Sequence, residues 1–157
     1  MAEYSELLSK ANLFLKSGNI DDSIEIFTML MERYPDKPLI FYNMGLAFIE
    51  KENFELAEKV FNHCLNLGYK DKRVYLGLGF SCLKREEFDM AISNFDKSLE
   101  EDEDFPEAII GKIYSLVKSG KTGNTKELLN KLKSIGVWNQ ELELISKTLK
   151  LMYPASG

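Results

Sequence analysis

The stretch from Phe41 to Phe61, FYNMGLAFIEKENFELAEKVF, returns thirty-four residues later as YLGLGFSCLKREEFDMAISNF, from Tyr75 to Phe95. Identical residues recur at the same offset in both copies: Gly45/Gly79, Glu52/Glu86, Phe54/Phe88, Ala57/Ala91 and Phe61/Phe95. The residues between them mostly keep their character, apolar matching apolar and charged matching charged. The chain therefore contains one structural unit that is made at least twice.

Each copy has the pattern of two amphipathic helices. In the first copy, apolar and small residues recur every three or four positions from Phe41 to Phe48, and again from Phe54 to Leu65. That spacing is the period of one helix face, and the polar break between the runs predicts a tight turn. Small residues such as Gly45 and Ala57 are expected where the two backbones come close. β-branched residues are few and no stretch alternates strictly, so strands are not predicted.

The same period extends in both directions along the chain. It predicts four helix-turn-helix units, at residues 4–37, 38–71, 72–105 and 106–136. The fourth departs from the pattern, since Lys112, Ile113 and Thr125 replace an apolar residue and two small ones. This unit is predicted to be degenerate or shifted in register. An amphipathic run then predicts a capping helix over 138–153, followed by a frayed tail at 154–157.

The period and these residues resemble the tetratricopeptide repeat family, over residues 4–105 most clearly. In that family the first helix carries a large residue, a Leu, a Gly or Ala and an aromatic, and the second carries Ala, an aromatic, Ala and a closing Pro. The resemblance implies an all-α fold, a right-handed α-solenoid with a C-terminal capping helix. It also implies a non-catalytic protein-protein interaction module, an adaptor or scaffold.

Composition excludes several classes of function. The net charge is −5, with 20 basic residues scattered among 25 acidic ones, which argues against a surface for nucleic acid. No apolar run is long enough to cross a bilayer, and the start, MAEYSELLSK, lacks the order of a secretory signal. We therefore expect a cytoplasmic protein with no nucleic-acid partner and no membrane insertion.

The residues that could carry chemistry are few. His63 is the sole histidine, and Cys64 and Cys82 fall inside helical patterns without metal-ligand spacing. The segment Gly120–Thr122 is similar to the end of a phosphate-binding loop, but Ser115 stands where that loop needs glycine and a predicted helix precedes it. The acidic run 100–104 has the pattern of a solvated turn, or of a contact for a basic partner. The sequence predicts no catalytic site, no cofactor and no metal.

The resemblance implies a binding site on the first helices, which line a concave groove in this family. The residues at the ligand-facing positions are predicted to form a largely hydrophobic peptide-binding groove: Leu8, Asn12, Tyr42, Asn43, Leu46, Ile49, Arg73, Leu76, Phe80, Leu83, Ile110 and Tyr114. The alternative is that many of these side chains simply pack against the next repeat. An exposed apolar surface of this size would indicate a partner.

Two subgroups of the family suggest partners. One clamps acidic carboxyl tails of heat-shock chaperones with five residues, but this chain has Leu8 and Gly77 where that clamp needs lysine and arginine. The other, the class II type III secretion chaperones, is similar in size and acidity, and holds hydrophobic segments of translocator proteins. A chaperone of that kind and a self-assembling structural protein, hence a homo-oligomer, stay open as alternatives.

Overall fold

The computed structural model describes residues 2–152, and every regular element in this range is an α-helix. The helices are α1 (Ala2–Lys16), α2 (Ile20–Arg33), α3 (Pro38–Glu50), α4 (Phe54–Asn66), α5 (Lys72–Lys84), α6 (Phe88–Glu101), α7 (Pro106–Ser119), α8 (Thr125–Ser134) and α9 (Gln140–Met152). The predicted all-α solenoid is confirmed. The predicted tail at 154–157, and the last residue of the predicted capping helix, lie outside the described residues.

The helices keep the thirty-four-residue period along the chain. The first helices of successive units begin at Pro38, Lys72 and Pro106, and α9 begins one further period on, at Gln140. Each helix packs against the next one in sequence, and the first helices also pack against each other from unit to unit. The capping helix has the register of the first helix of a fifth unit, although its backbone does not approach α7 as closely as the earlier first helices approach one another.

The core is built around phenylalanines of the second helices. Phe27, Phe61 and Phe95 are fully or almost fully buried and lie one period apart. The Phe61 ring lies between α3 and α5, since a Cβ added at Gly45 or at Gly77 would come within 2.5 Å of that ring. The expectation that glycine brings two backbones together is therefore corrected: these glycines make room for an aromatic ring.

The fourth unit keeps its register but loses part of its second helix. Ile113 and Leu129 replace the Gly79 and Phe95 of the preceding unit, and both are buried, so a larger first-helix residue faces a smaller second-helix residue. Helix α8 begins at Thr125, three residues later than the period predicts. The fourth repeat therefore has a shorter second helix, because that helix begins late. Its buried positions still follow the period of the other units.

The turn inside each unit has one residue with left-handed backbone. Gly18, Glu52, Glu86 and Gly120 occupy this position, with φ of 82°, 56°, 61° and 74°. Glycine adopts this conformation without steric cost, whereas other L-residues lose about 1–2 kcal/mol. The two central units therefore carry strain at Glu52 and Glu86 that the outer units avoid.

Replacing either glutamate by glycine is expected to stabilise the protein. Glu52→Gly and Glu86→Gly should each raise the free energy of unfolding by roughly 0.5–1 kcal/mol, because the gain in backbone energy exceeds the added entropy of the unfolded chain. Chemical denaturation would measure it. The matched control is Gly18→Ala, which meets no atom within 4 Å and should destabilise through its φ alone. If neither Glu52→Gly nor Glu86→Gly changes the free energy of unfolding, the backbone at these two glutamates is not strained.

Candidate functional site

The predicted groove positions fall on one face of the first helices. Tyr42 and Leu46 are one turn apart on α3, and the equivalent pairs are Leu76 and Phe80 on α5 and Ile110 and Tyr114 on α7. All six side chains are half-buried. Because they are four residues apart within a helix and thirty-four apart between helices, they form a continuous strip, which we call the groove strip.

The other predicted groove residues differ in how accessible they are. Leu8, Asn12, Ile49 and Leu83 are half-buried, and Arg73 is exposed. Asn43 is buried, with 9% of its surface accessible, at the position that Gly77 and Gly111 occupy in the next units. Most of the Asn43 side chain is therefore inaccessible, which makes Asn12 and Arg73 the more accessible polar groups.

Arg73 is held in place by residues before α5. Its guanidinium donates from Nε to Asp71 Oδ1 (2.9 Å) and from Nη2 to Asp71 Oδ2 (3.0 Å). Nη2 also lies 3.2 Å from the Tyr69 hydroxyl, and the guanidinium lies 5.4 Å from the centre of the Tyr42 ring. The hydrogen bond from Arg73 lowers the pKa of Asp71. This arrangement fixes one cation at the edge of the groove strip.

Sequence reasoning missed Tyr69 and Asp71, which belong to the connection between two units. The signal was present, because an aspartate before a helix caps its N-terminus, and Asp71 accepts from the Arg73 backbone N–H at 2.8 Å. Its second role, orienting the arginine side chain, depends on the position of the connection. The candidate site therefore includes residues outside the helices.

The aromatic residues of the groove strip have defined neighbours. Phe54, at the start of α4, packs edge-on against Phe80 with ring centres 6.2 Å apart, and the Lys84 amine lies 5.3 Å from the Phe80 ring. Burial and the Glu141 carboxylate raise the pKa of Tyr114 to about 12. Since Glu141 lies on α9, the capping helix borders the last unit of the groove.

The residues capable of catalysis are dispersed or buried. His63 is exposed and its ring centre lies 4.3 Å from that of Phe41. Burial raises the pKa of both cysteine thiols to about 11, so they are protonated at neutral pH. The Cys64 thiol donates to the Pro38 carbonyl at 3.3 Å, in the way that the Ser98 hydroxyl donates to the Lys72 carbonyl at 2.8 Å one period later. Cys64 therefore has a structural role, because its thiol connects α4 to the start of α3.

One further cluster has the elements of a metal site. Glu58, Cys82 and Glu87 place a thiol and two carboxylates within 4.8 Å of one another. Arg85, however, forms ion pairs with both carboxylates. A guanidinium already neutralises the acids, and the protonated thiol is a poor ligand. The cluster is best explained as a set of ion pairs that holds α4 against the end of α5.

Comparison with known proteins supports the repeat family. Residues 39–67 match the family model described as tetratricopeptide repeat. The chain is 28% identical over 93 residues to RNA polymerase II-associated protein 3 of Xenopus tropicalis; the match covers 59% of this chain and 14% of that protein. The chain thus corresponds to a small part of the relatives it matches.

Solved structures share the fold over most of the chain. The structure titled "MamA RS-1 ArsTM double mutant" superposes with a TM-score of 0.89 at 12% identity, covering 99% of this chain and 87% of that one. "First TPR of Spaghetti (RPAP3) bound to HSP90 peptide SRMEEVD" has a TM-score of 0.72 at 21% identity, covering 74% and 93%.

The described part of the chain, residues 2–152, has no helix with the length and apolarity that would cross a membrane. Its helices follow one period from α1 to α9, and the second unit matches the family model directly. The chain therefore has a tetratricopeptide repeat in its second unit, and its overall fold is that of solved tetratricopeptide repeat structures.

Proposed function

We propose that the protein is a non-catalytic, cytoplasmic binding module that holds an apolar segment of another protein against the groove strip. The observation that carries this proposal is the partial exposure of six large apolar side chains at equivalent positions of α3, α5 and α7. A continuous apolar surface of this kind on a folded protein is typical of an interaction site. A helical or extended segment with regularly spaced apolar side chains would match the regular spacing of the groove strip.

The gain on binding comes from water displaced from apolar side chains. A large apolar side chain that becomes fully buried contributes about 1.5–3 kcal/mol, so half-buried residues would each contribute a part of that. Arg73 and Asn12 would orient the ligand by hydrogen bonds. Because Asp71 already holds the Arg73 guanidinium, little side-chain entropy is lost when a ligand carbonyl or carboxylate binds there.

The relative that binds an acidic heat-shock peptide does not define the ligand of this chain. Such a peptide needs several cations around its carboxylates. Here Leu8 packs against the core, and Gly77 lies under the Phe61 ring, where even a Cβ would come within 2.5 Å. Two of the five clamp positions therefore cannot supply a positive charge. An apolar segment fits this groove better than an acidic tail.

The double variant Leu46→Glu/Phe80→Glu tests the groove. Two carboxylates would have to be desolvated beneath an apolar ligand, so we expect at least a tenfold loss of affinity, about 1.4 kcal/mol or more. Affinity capture with mass spectrometry would compare this variant with the wild type. A partner found in this way would then be titrated against both proteins.

The matched control is Met29→Glu/Met90→Glu, which adds the same charge on the second helices, where both methionines are exposed. Circular dichroism would verify that all proteins are folded. If every partner is recovered equally by the groove variant and the control, the groove strip is not the binding surface.

Self-assembly is a second candidate, favoured by two exposed leucines on α9. Leu144 and Leu151 lie seven residues apart on one helix face and are 64% and 84% exposed. A second copy could cover them by stacking end to end. Sedimentation velocity over a concentration series distinguishes the two functions, because a binding module without its partner should stay monomeric. A specific role as a chaperone for translocator-type proteins stays a prediction from the resemblance.

A further inference from the structure

A cleft of about 640 Å³ lies between α8 and α9, away from the groove strip. The apolar part of its wall includes Leu129, Leu149 and Trp138, and three lysines border it. The equivalent joints between the earlier units are closed, since Phe61 and Phe95 fill them. The space between α8 and α9 is therefore large enough for a ligand of small-molecule size.

The cleft arises because small residues occupy positions that hold large residues in the earlier units. Three positions that carry Phe, Phe and Met or Leu in units two and three carry smaller residues here: Thr122 for Phe54 and Phe88, Leu129 for Phe61 and Phe95, and Ser146 for Met44 and Leu78. All three smaller residues line the cleft. The space results from substitutions in register with the repeat.

The cleft is basic, although the protein as a whole is acidic. Lys126, Lys133 and Lys150 line it. None of the ion pairs found among residues 2–152 uses these three amines. The Lys133 amine lies 4.1 Å from the centre of the Trp138 ring, and the Trp138 indole N–H donates to Glu143 at 3.0 Å. Lysine amines thus lie beside an apolar wall whose indole is fixed.

A buried hydroxyl lines the same cleft. Thr125 is fully buried, and its Oγ1 has no hydrogen-bond partner among the described residues. It is the first residue of α8, whose N-terminus has no side-chain cap from Asn124. A buried hydroxyl and free helix N–H groups both favour an anionic oxygen. Ser23 is equally unpartnered in the first unit, so it is the combination with the cleft and its lysines that indicates a ligand.

We propose that this cleft binds an amphipathic organic anion, with an apolar body against Leu129, Leu149 and Trp138 and a carboxylate-type head near the lysine amines. An inorganic anion would leave the apolar wall in water, and a neutral apolar molecule would leave three amines unpaired. This site is independent of the groove strip and of the partner proposed for it.

The protein contains a single tryptophan, so its fluorescence reports directly on the cleft. Titration with sodium octanoate, below its micelle concentration, is expected to change the Trp138 emission and to saturate. Lys126→Gln/Lys150→Gln should weaken octanoate binding at least tenfold. The matched control Lys59→Gln/Lys118→Gln removes two exposed lysines outside the cleft and should leave binding unchanged.

A second variant fills the cleft with the residues of the earlier units. Thr122→Phe/Ser146→Leu should abolish the octanoate response without lowering the midpoint of thermal unfolding, so that lost binding cannot be attributed to lost folding. The proposal is overturned by an absent or unsaturable octanoate response, by an equal response in the filled variant, or by 1-octanol or inorganic phosphate acting as strongly as octanoate.

Discussion

Phe61→Ala is expected to lower the free energy of unfolding by about 3–5 kcal/mol, the range for removing a fully buried aromatic side chain. Phe61 is 0% exposed and contacts two successive first helices, through Gly45 and Gly77. Because both contact positions are glycines, neither of them has a side chain that could move in to fill the space. The cavity would therefore lie at the contact between the second unit and the third.

Chemical denaturation followed by circular dichroism would measure the loss. The control is Met90→Ala on α6, which removes a long side chain that is 51% exposed and should change stability by less than about 0.5 kcal/mol. In a solenoid each unit is stabilised by its neighbours, so the variant is expected to broaden the unfolding transition as well as shift it. A loss below about 1 kcal/mol would show that the ring is not the joint between the units.

Gly77→Ala is expected to destabilise the protein by about 1–3 kcal/mol, although alanine is intrinsically the better helix former. The added Cβ would lie 2.5 Å from Phe61 Cζ, and the ring has no room to retreat, since Gly45 on the other side is equally close. Urea or guanidinium unfolding would measure the change. The matched control Gly123→Ala meets no atom within 4 Å and should be close to neutral.

A second substitution should rescue this variant. The end of the chain pairs a larger first-helix residue with a smaller second-helix residue at the equivalent positions, since Ile145 replaces Gly77 and Leu129 replaces Phe61. Phe61→Leu should accordingly cost less in the Gly77→Ala background than in the wild type, with a coupling of at least about 1 kcal/mol. Additive losses in this double-mutant cycle would contradict direct contact between ring and Cβ.

The groove is the part for which sequence and structure contribute differently. The spacing of Tyr42, Leu76 and Ile110 alone predicts that they lie on one face, because the direction in which a residue leaves a helix follows the helical period. How much of each side chain is accessible depends on the neighbouring helices. Asn43 shows the difference, since it has a groove position in sequence and is buried in the structure.

The long-range contacts could not be predicted from the sequence. The Arg73 guanidinium lies 5.4 Å from the centre of the Tyr42 ring because α5 packs beside α3. The cleft beside Trp138 depends on how closely α9 approaches α8, which no local pattern specifies. Such contacts join segments whose relative position is set by packing across the whole unit.

By itself, the sequence determined the period, the helices and the resemblance to the tetratricopeptide repeat family, because helical amphipathicity and a thirty-four-residue repeat are local properties that recur in each unit. Only the tertiary structure decided what the repeated glycines do, which turn residues are strained and where the last joint stays open. All three features depend on the distances between helices. Whether a given residue fits at a position depends on the side chain that the neighbouring helix places against it.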